Sequence, residues 1–179
     1  MTGFAEHRVH GGNRWRGLVW GMGALALAVP AIAMQFTSEV NWDLADFLVF
    51  GTMLAIACGV FDLATRASAS TAYRAAVGIA AAAAFLLVWV NLAVGVIGSE
   101  DNPANLMFAG VLAVAILGAF AARFRPQGMA WALVGTAVAQ LLVWIVALVG
   151  GIGNFPVVTA VFVALWLGSA LLFRKAARG

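Results

Sequence analysis

The chain has 179 residues, of which 64% are hydrophobic and only 9% charged, with a formal net charge of +3. A soluble domain carries charge on about a quarter of its residues, so this composition excludes an ordinary water-facing surface and reads as a one-domain integral membrane protein. The lone Cys58 excludes an internal disulfide and a Cys-x-x-Cys pair, and the basic residues, scattered beside apolar segments, make no nucleic-acid patch.

A helix crossing a bilayer needs roughly 17–25 mainly apolar residues. Residues 1–16 are too polar for this and are expected to form a cytoplasmic tail. Its "EHRVH" holds both histidines, His7 and His10, outside any span, so neither a metal site nor a histidine-held haem is expected. The first span is Gly17–Phe36. Arg14, Arg16, an apolar run and "PAIAM" (Pro30–Met34) together resemble a secretory signal with its cleavage site. Cleavage would leave an odd number of spans and an outside N-terminus, so the segment is read as a retained span loosened at Pro30. "GLVWG" (Gly17–Gly21) is a GxxxG pattern that permits close helix approach.

Five further spans follow: Phe47–Ala64, Ala75–Gly98, Leu106–Phe124, Met129–Ile152 and Val157–Phe173. With six spans, all ten Lys and Arg residues fall on one side. Glu39, Asp43, Asp46, Glu100 and Asp101 fall on the other. Basic residues near span ends stay cytoplasmic. The expectation is therefore a multi-pass protein of the bacterial inner membrane, with cytoplasmic termini and acidic turns outside.

The third and fifth spans share a motif. "LLVWVNLAVGVIG" (Leu86–Gly98) matches "LLVWIVALVGGIG" (Leu141–Gly153) at eight of thirteen positions. "DLADFLVFGTMLAIA" (Asp43–Ala57) likewise echoes "DNPANLMFAGVLAVA" (Asp101–Ala115). The simplest fold is an all-α bundle of three tandem helical hairpins, at about 17–66, 74–125 and 128–174, with a basic tail at 175–179. The arrangement, most specifically "LLVWVNLAVGVIGSEDNPANLM", resembles a set of small uncharacterised multi-span bacterial inner-membrane proteins. The resemblance runs along most of the chain after residue 40. It implies the fold and no activity.

Polar residues inside or between the spans are the candidate functional groups. Asn102 fits a helix N-cap followed by Pro103 at the first helical position, with Asn105 reaching back toward the cap. Asp43 and Asp46 have capping-box spacing. These acids also face the positive ends of helix dipoles. The alternative is convergence: Asn41, Asp43, Asp46, Glu100, Asp101, Asn102 and Asn105 offer hard oxygen ligands that suit a divalent cation or attract a cationic solute. A partner protein docking on these turns is a third reading.

Asn91 and Gln140 sit within spans, as interhelical hydrogen-bonding groups or as the lining of a solute path. Asp62, four residues before Arg66, reads as an interfacial ion pair or a group snorkelling to the interface; the alternative, a proton relay, has no histidine or second acid in the spans to relay to. Trp15, Trp20 and Trp42 read as interfacial anchors; Trp89, Trp131, Trp144 and Trp166 as packing or lipid-facing groups. The run Ala80–Ala84 marks a slim helix face.

No phosphate loop or nucleophile–histidine pair occurs, so neither an enzyme nor a cofactor is expected. Expected partners are membrane lipid and a second copy or another membrane protein, with no nucleic acid. Two functions stay open: a non-catalytic structural or accessory membrane module, and a small carrier or channel for a cation or cationic solute with an acidic outer mouth.

Overall fold

The computed structural model describes the backbone from Val9 and the side chains from Arg16. Among the described residues the regular structure is helical: α1 (Val9–Ala33), α2 (Leu44–Ala67), α3 (Thr71–Ala93), α4 (Met107–Ala121), α5 (Pro126–Val149) and α6 (Pro156–Ala176). A 3₁₀ turn, Pro103–Leu106, leads into α4. Among the described residues six helical segments are long and apolar enough to cross a membrane. The six expected apolar segments are thus helical, with moved boundaries.

The boundaries follow local chemistry. Pro103, Pro126 and Pro156 occupy first helical turns, where the missing N–H leaves nothing unpaired. Those helices therefore begin before the apolar run does. The third span ends at Ala93, five residues short of the sequence-based boundary. Gly95 there has φ +69°, and a Cβ on it would lie 2.4 Å from the Ser99 backbone. Only glycine permits that fold-back. Pro30 lies near the end of α1 and leaves the helix continuous from Val9 to Ala33.

The chain forms two compact units, divided after Ala67. In the first, α1 packs on α2. The thiol of Cys58 approaches the carbonyl of Val19 at 3.7 Å, and Gly23 lies beneath its sulfur. Gly17 and Gly21, the GxxxG pair, have no atom near enough to meet an added Cβ. That pattern plays no part in the α1–α2 contact.

The second unit contains α3 to α6. Helix α6 packs on both α3 and α5, and α5 also packs on α4; α3 touches α4 only lightly. The close approach of α4 and α5 uses small residues on both helices. A Cβ on Gly118 would fall 2.7 Å from Ala132 Cβ, and one on Gly128 would fall 2.7 Å from Ala122 Cβ. Gly118 on α4 and Ala122 just past its end thus face Ala132 and Gly128 on α5, a small-residue crossing of the kind that brings membrane helices together. The α3–α6 contact is also slim. Ala76 and Ala83 are fully buried on α3, and Ser169 on α6 donates a 2.7 Å hydrogen bond to the Ala76 carbonyl. The alanine run therefore contributes Ala83 to the core, while Ala82 is exposed.

Both ends of this unit are tied. At one, the Tyr73 hydroxyl donates to the Phe124 carbonyl at 3.0 Å, and the Tyr73 and Phe173 rings meet edge to face at 5.2 Å. Arg74, Arg123, Arg125, Arg174, Lys175 and Arg178 cluster along the chain around these residues. At the other end, Gly153 lies against Ile97, and the Phe108 and Phe155 rings are 6.0 Å apart. The turns after α3 and α5 therefore meet at one end, which carries Glu100 and Asp101. Large exposed side chains elsewhere are mostly aliphatic or aromatic, among them Leu117, Trp131, Val149 and Val157. Such a surface suits hydrocarbon rather than water.

Candidate functional site

The acidic turns resolve into helix caps and one clasp. At the start of α2 the Asp43 N–H donates to Asp46 Oδ2 at 2.9 Å, and the Asp46 N–H donates to Asp43 Oδ1 at 3.0 Å. This is a reciprocal capping box. Asn102 is the N-cap of the 3₁₀ turn, its Oδ1 accepting from the Ala104 N–H at 3.0 Å.

Asn105 does something that its spacing does not reveal. Its Oδ1 accepts from the N–H groups of Val96 (3.1 Å) and Ile97 (2.9 Å). Its Nδ2 donates to the carbonyls of Ser99 (2.7 Å) and Ile97 (3.4 Å). One side-chain amide thus holds the loop leaving α3 against the turn entering α4. It does not reach back to the cap at Asn102. The loop needs such a partner because Ile97 is fully buried and its backbone groups lie outside any helix.

These bonds occupy the side-chain oxygens of Asn102 and Asn105 and one carboxylate oxygen on each of Asp43 and Asp46. Glu100, Asp101 and Asn41 are exposed. Asp43 and Asp46 belong to the first unit; Glu100, Asp101, Asn102 and Asn105 belong to the second. Among the described residues no three Asp, Glu, His or Cys side chains gather as a metal site would require. His7 and His10 lie outside the residues whose side chains are described, as does Trp15.

At the opposite end of the first unit, Asp62 pairs with Arg66 one turn later at 2.8 Å, as its spacing suggests. It also pairs with Arg16 of α1, which sequence reading does not reveal. A carboxylate that is 9% exposed as a residue is thereby held between two cations and joins α1 to α2.

The interior of the second unit carries a different polar set. Gln140 on α5 is fully buried, and neither its Oε1 nor its Nε2 has a hydrogen-bond partner among the described residues. The same holds for Thr159 Oγ1 and Trp166 Nε1 on α6, in residues 2% and 1% exposed. Asn91 on α3 donates to the Leu87 carbonyl at 2.7 Å, but its Oδ1 is buried without a partner. By contrast, Thr136 donates to the Ala132 carbonyl at 2.9 Å, and Ser169 is bonded to Ala76. Asn91 and Gln140 were legible as polar groups within spans. The sequence does not mark Thr159 and Trp166 for hydrogen bonding, because a threonine and an indole are ordinary in apolar helices until burial strips them of partners. Trp144 differs: its indole donates to Asn154 at 3.3 Å in the turn after α5.

A depression lined by Leu171, Arg174, Lys175 and Arg178 sits at the end of α6. All four belong to that helix and the turn after it, so it is a surface groove. No protein-family model, no curated protein and no solved structure matches the chain.

Proposed function

We propose that this chain is a non-catalytic, multi-pass integral protein of the bacterial inner membrane, acting as a structural or accessory module. The observation that carries the reading is how its polar side chains are used. Asp43, Asp46, Asn102 and Asn105 are engaged in caps and a loop clasp, and Asp62 is neutralised by two arginines. The helices around them offer apolar faces to lipid or to another membrane protein.

In this reading both termini are cytoplasmic. The support is that, among the described residues, the arginines of each unit gather at one end and the acidic turns at the other, with Asp62 the paired exception. The three-hairpin arrangement draws on the shared motif at Leu86–Gly98 and Leu141–Gly153, and on the packing of α1 with α2 and of α5 with α6. The main contact of α3 with α6 means that the middle hairpin leans on the last one more than on itself. Partners in this reading are lipid and either a second copy or another membrane protein.

Topology is the direct test. In a Cys58→Ala background, single cysteines placed as Asp43→Cys and Asp101→Cys should react with an impermeant maleimide in intact cells. Labelling of either position only after permeabilisation would reject the orientation. The carrier alternative, with Asp43, Asp46, Glu100 and Asp101 as a cation-attracting mouth, is separated by melting in Ca²⁺ and Mg²⁺.

A further inference from the structure

We propose that the groove at the basic end of α6, formed by Leu171, Arg174, Lys175 and Arg178, is a binding site for the headgroup of an anionic phospholipid. The proposal rests on the membrane reading above and adds a lipid class to it.

The outward face of α6 has the polarity profile of a lipid. The four residues follow one another at i, i+3, i+4 and i+7, so they share one face of the helix and the turn after it. The depression they line is open at the surface and has a volume of about 390 Å³, within the roughly 300–1,000 Å³ of ligand sites in general. The opposite face of α6, which includes Phe162, Trp166 and Phe173, is buried. On the outward face Val157, Val161, Leu167 and Leu171 are all exposed. From Val157 to Leu171 this apolar stripe runs about 21 Å, and it ends at the three cations. A track for an acyl chain and a cradle for a headgroup thus lie end to end on one helix.

The charge of this end has no counterpart within its unit. Among the described residues Arg174, Lys175 and Arg178 make no ion pair. Glu100 and Asp101, the acids of the four-helix unit, belong to its other end, about 30 Å away by the 21-residue length of α6. That is well beyond the screening length of about 8 Å at physiological salt. The three side chains do not cap the helix either. The Ala177 N–H donates to the Phe173 carbonyl and the Arg178 N–H to that of Lys175. Tyr73 links Phe173, beside Arg174, to Phe124, which lies between Arg123 and Arg125, so further positive charge gathers at this end. A phosphodiester held by two or three of the groove cations supplies the missing negative charge, and guanidinium groups suit phosphate oxygens in geometry. A soluble anion would supply the same charge and leave the apolar stripe unused. A lipid phosphate sits where Leu171 gives way to Arg174, with its acyl chains along the stripe.

The test uses the full chain in a neutral detergent, with bound lipid counted by native mass spectrometry. Phosphatidylglycerol and phosphatidylcholine with the same acyl chains are the probes. The expected result is saturable binding of phosphatidylglycerol, with a half-saturating concentration at least about tenfold below that of phosphatidylcholine. Arg174→Gln with Arg178→Gln should raise the phosphatidylglycerol value by about twenty- to thirtyfold, about fivefold for each basic residue lost. Arg123→Gln with Arg125→Gln removes the same charge outside the groove lining and should change that value less than about threefold, because salt screens the more distant charges. If the groove variant does not fold, Arg174→Lys with Arg178→Lys keeps the charge, loses the paired guanidinium donors and should weaken binding several-fold. Equal binding of the two lipids would overturn the proposal. So would equal losses in the two glutamine variants, which would assign the effect to the general field of the basic end. Complete displacement of phosphatidylglycerol by an equal concentration of glycerol phosphate would assign the groove to a soluble anion and overturn the lipid reading. Recovery of the protein in the soluble fraction without detergent would instead reject the membrane reading.

Discussion

Replacing Asn105 tests whether the polar turn exists to organise backbone or to hold an ion. The side chain makes three hydrogen bonds of 2.7–3.1 Å to backbone groups and a fourth at 3.4 Å. Each well-formed bond contributes about 1 kcal/mol net, so Asn105→Ala should cost roughly 3 kcal/mol. For a chain of this size 1 kcal/mol corresponds to about 2–4 °C in Tm, which makes the expected drop about 6–12 °C in detergent. Asn105→Asp keeps the acceptor facing the Val96 and Ile97 N–H groups but loses both donors. It should fall between wild type and Asn105→Ala. Hydrogen exchange gives the local readout: the Val96 and Ile97 amides should lose protection in Asn105→Ala and keep much of it in Asn105→Asp. A Tm within 2 °C of wild type for Asn105→Ala, with those two amides still protected, would refute the clasp.

Other substitutions probe the remaining contacts. Gly118→Ala puts a carbon 2.7 Å from Ala132 Cβ, about 1 Å inside normal carbon–carbon contact; the overpacking cost of about 1–3 kcal/mol should exceed the helix-propensity gain of about 1 kcal/mol and lower the Tm. Gly17→Ala and Gly21→Ala meet open space and should leave the Tm unchanged or higher. Asp62→Asn removes the shared partner of Arg16 and Arg66; because these arginines are 37% and 60% exposed, the loss should be roughly 1–2 kcal/mol, below that of a fully buried pair, and should shrink in high salt. The double change Glu100→Gln with Asp101→Asn should cost under about 1 kcal/mol, as exposed helix-dipole interactions do, with no difference in melting between Ca²⁺, Mg²⁺ and neither. A wild-type rise in Tm with either ion that the double change abolishes would restore the divalent-site reading.

The number of long apolar helices and the two helix starts are legible because they depend on local chemistry. Hydropathy marks a span without reference to its neighbours. A capping box at Asp43 and Asp46, and Asn102 followed by Pro103, involve residues within three positions of each other. The ion pair Asp62–Arg66 is legible for the same reason, being one helical turn apart. The shared motif was a weaker guide to packing. Leu87 is fully buried, whereas Leu142, its counterpart, is 54% exposed. The same letters can face the core in one helix and the surroundings in another, because a span surrounded by lipid need not be amphipathic.

The sequence by itself determined where this chain is apolar enough to form six long helices, how two of them are capped at their starts, and which ends carry positive charge. All of these follow from composition within a turn or a bilayer thickness. Only the tertiary structure decided which glycines matter, selecting Gly118 and Gly128 over the GxxxG pair Gly17 and Gly21. It also decided that Arg16 joins Asp62, that Asn105 clasps Val96 to Ser99, and that Gln140, Thr159 and Trp166 are buried without partners. In an almost uniformly apolar chain every helix face looks alike to hydropathy. Helix rotation and neighbour choice are set by steric fit and by a few hydrogen-bonding groups, and these come together only when distant segments pack.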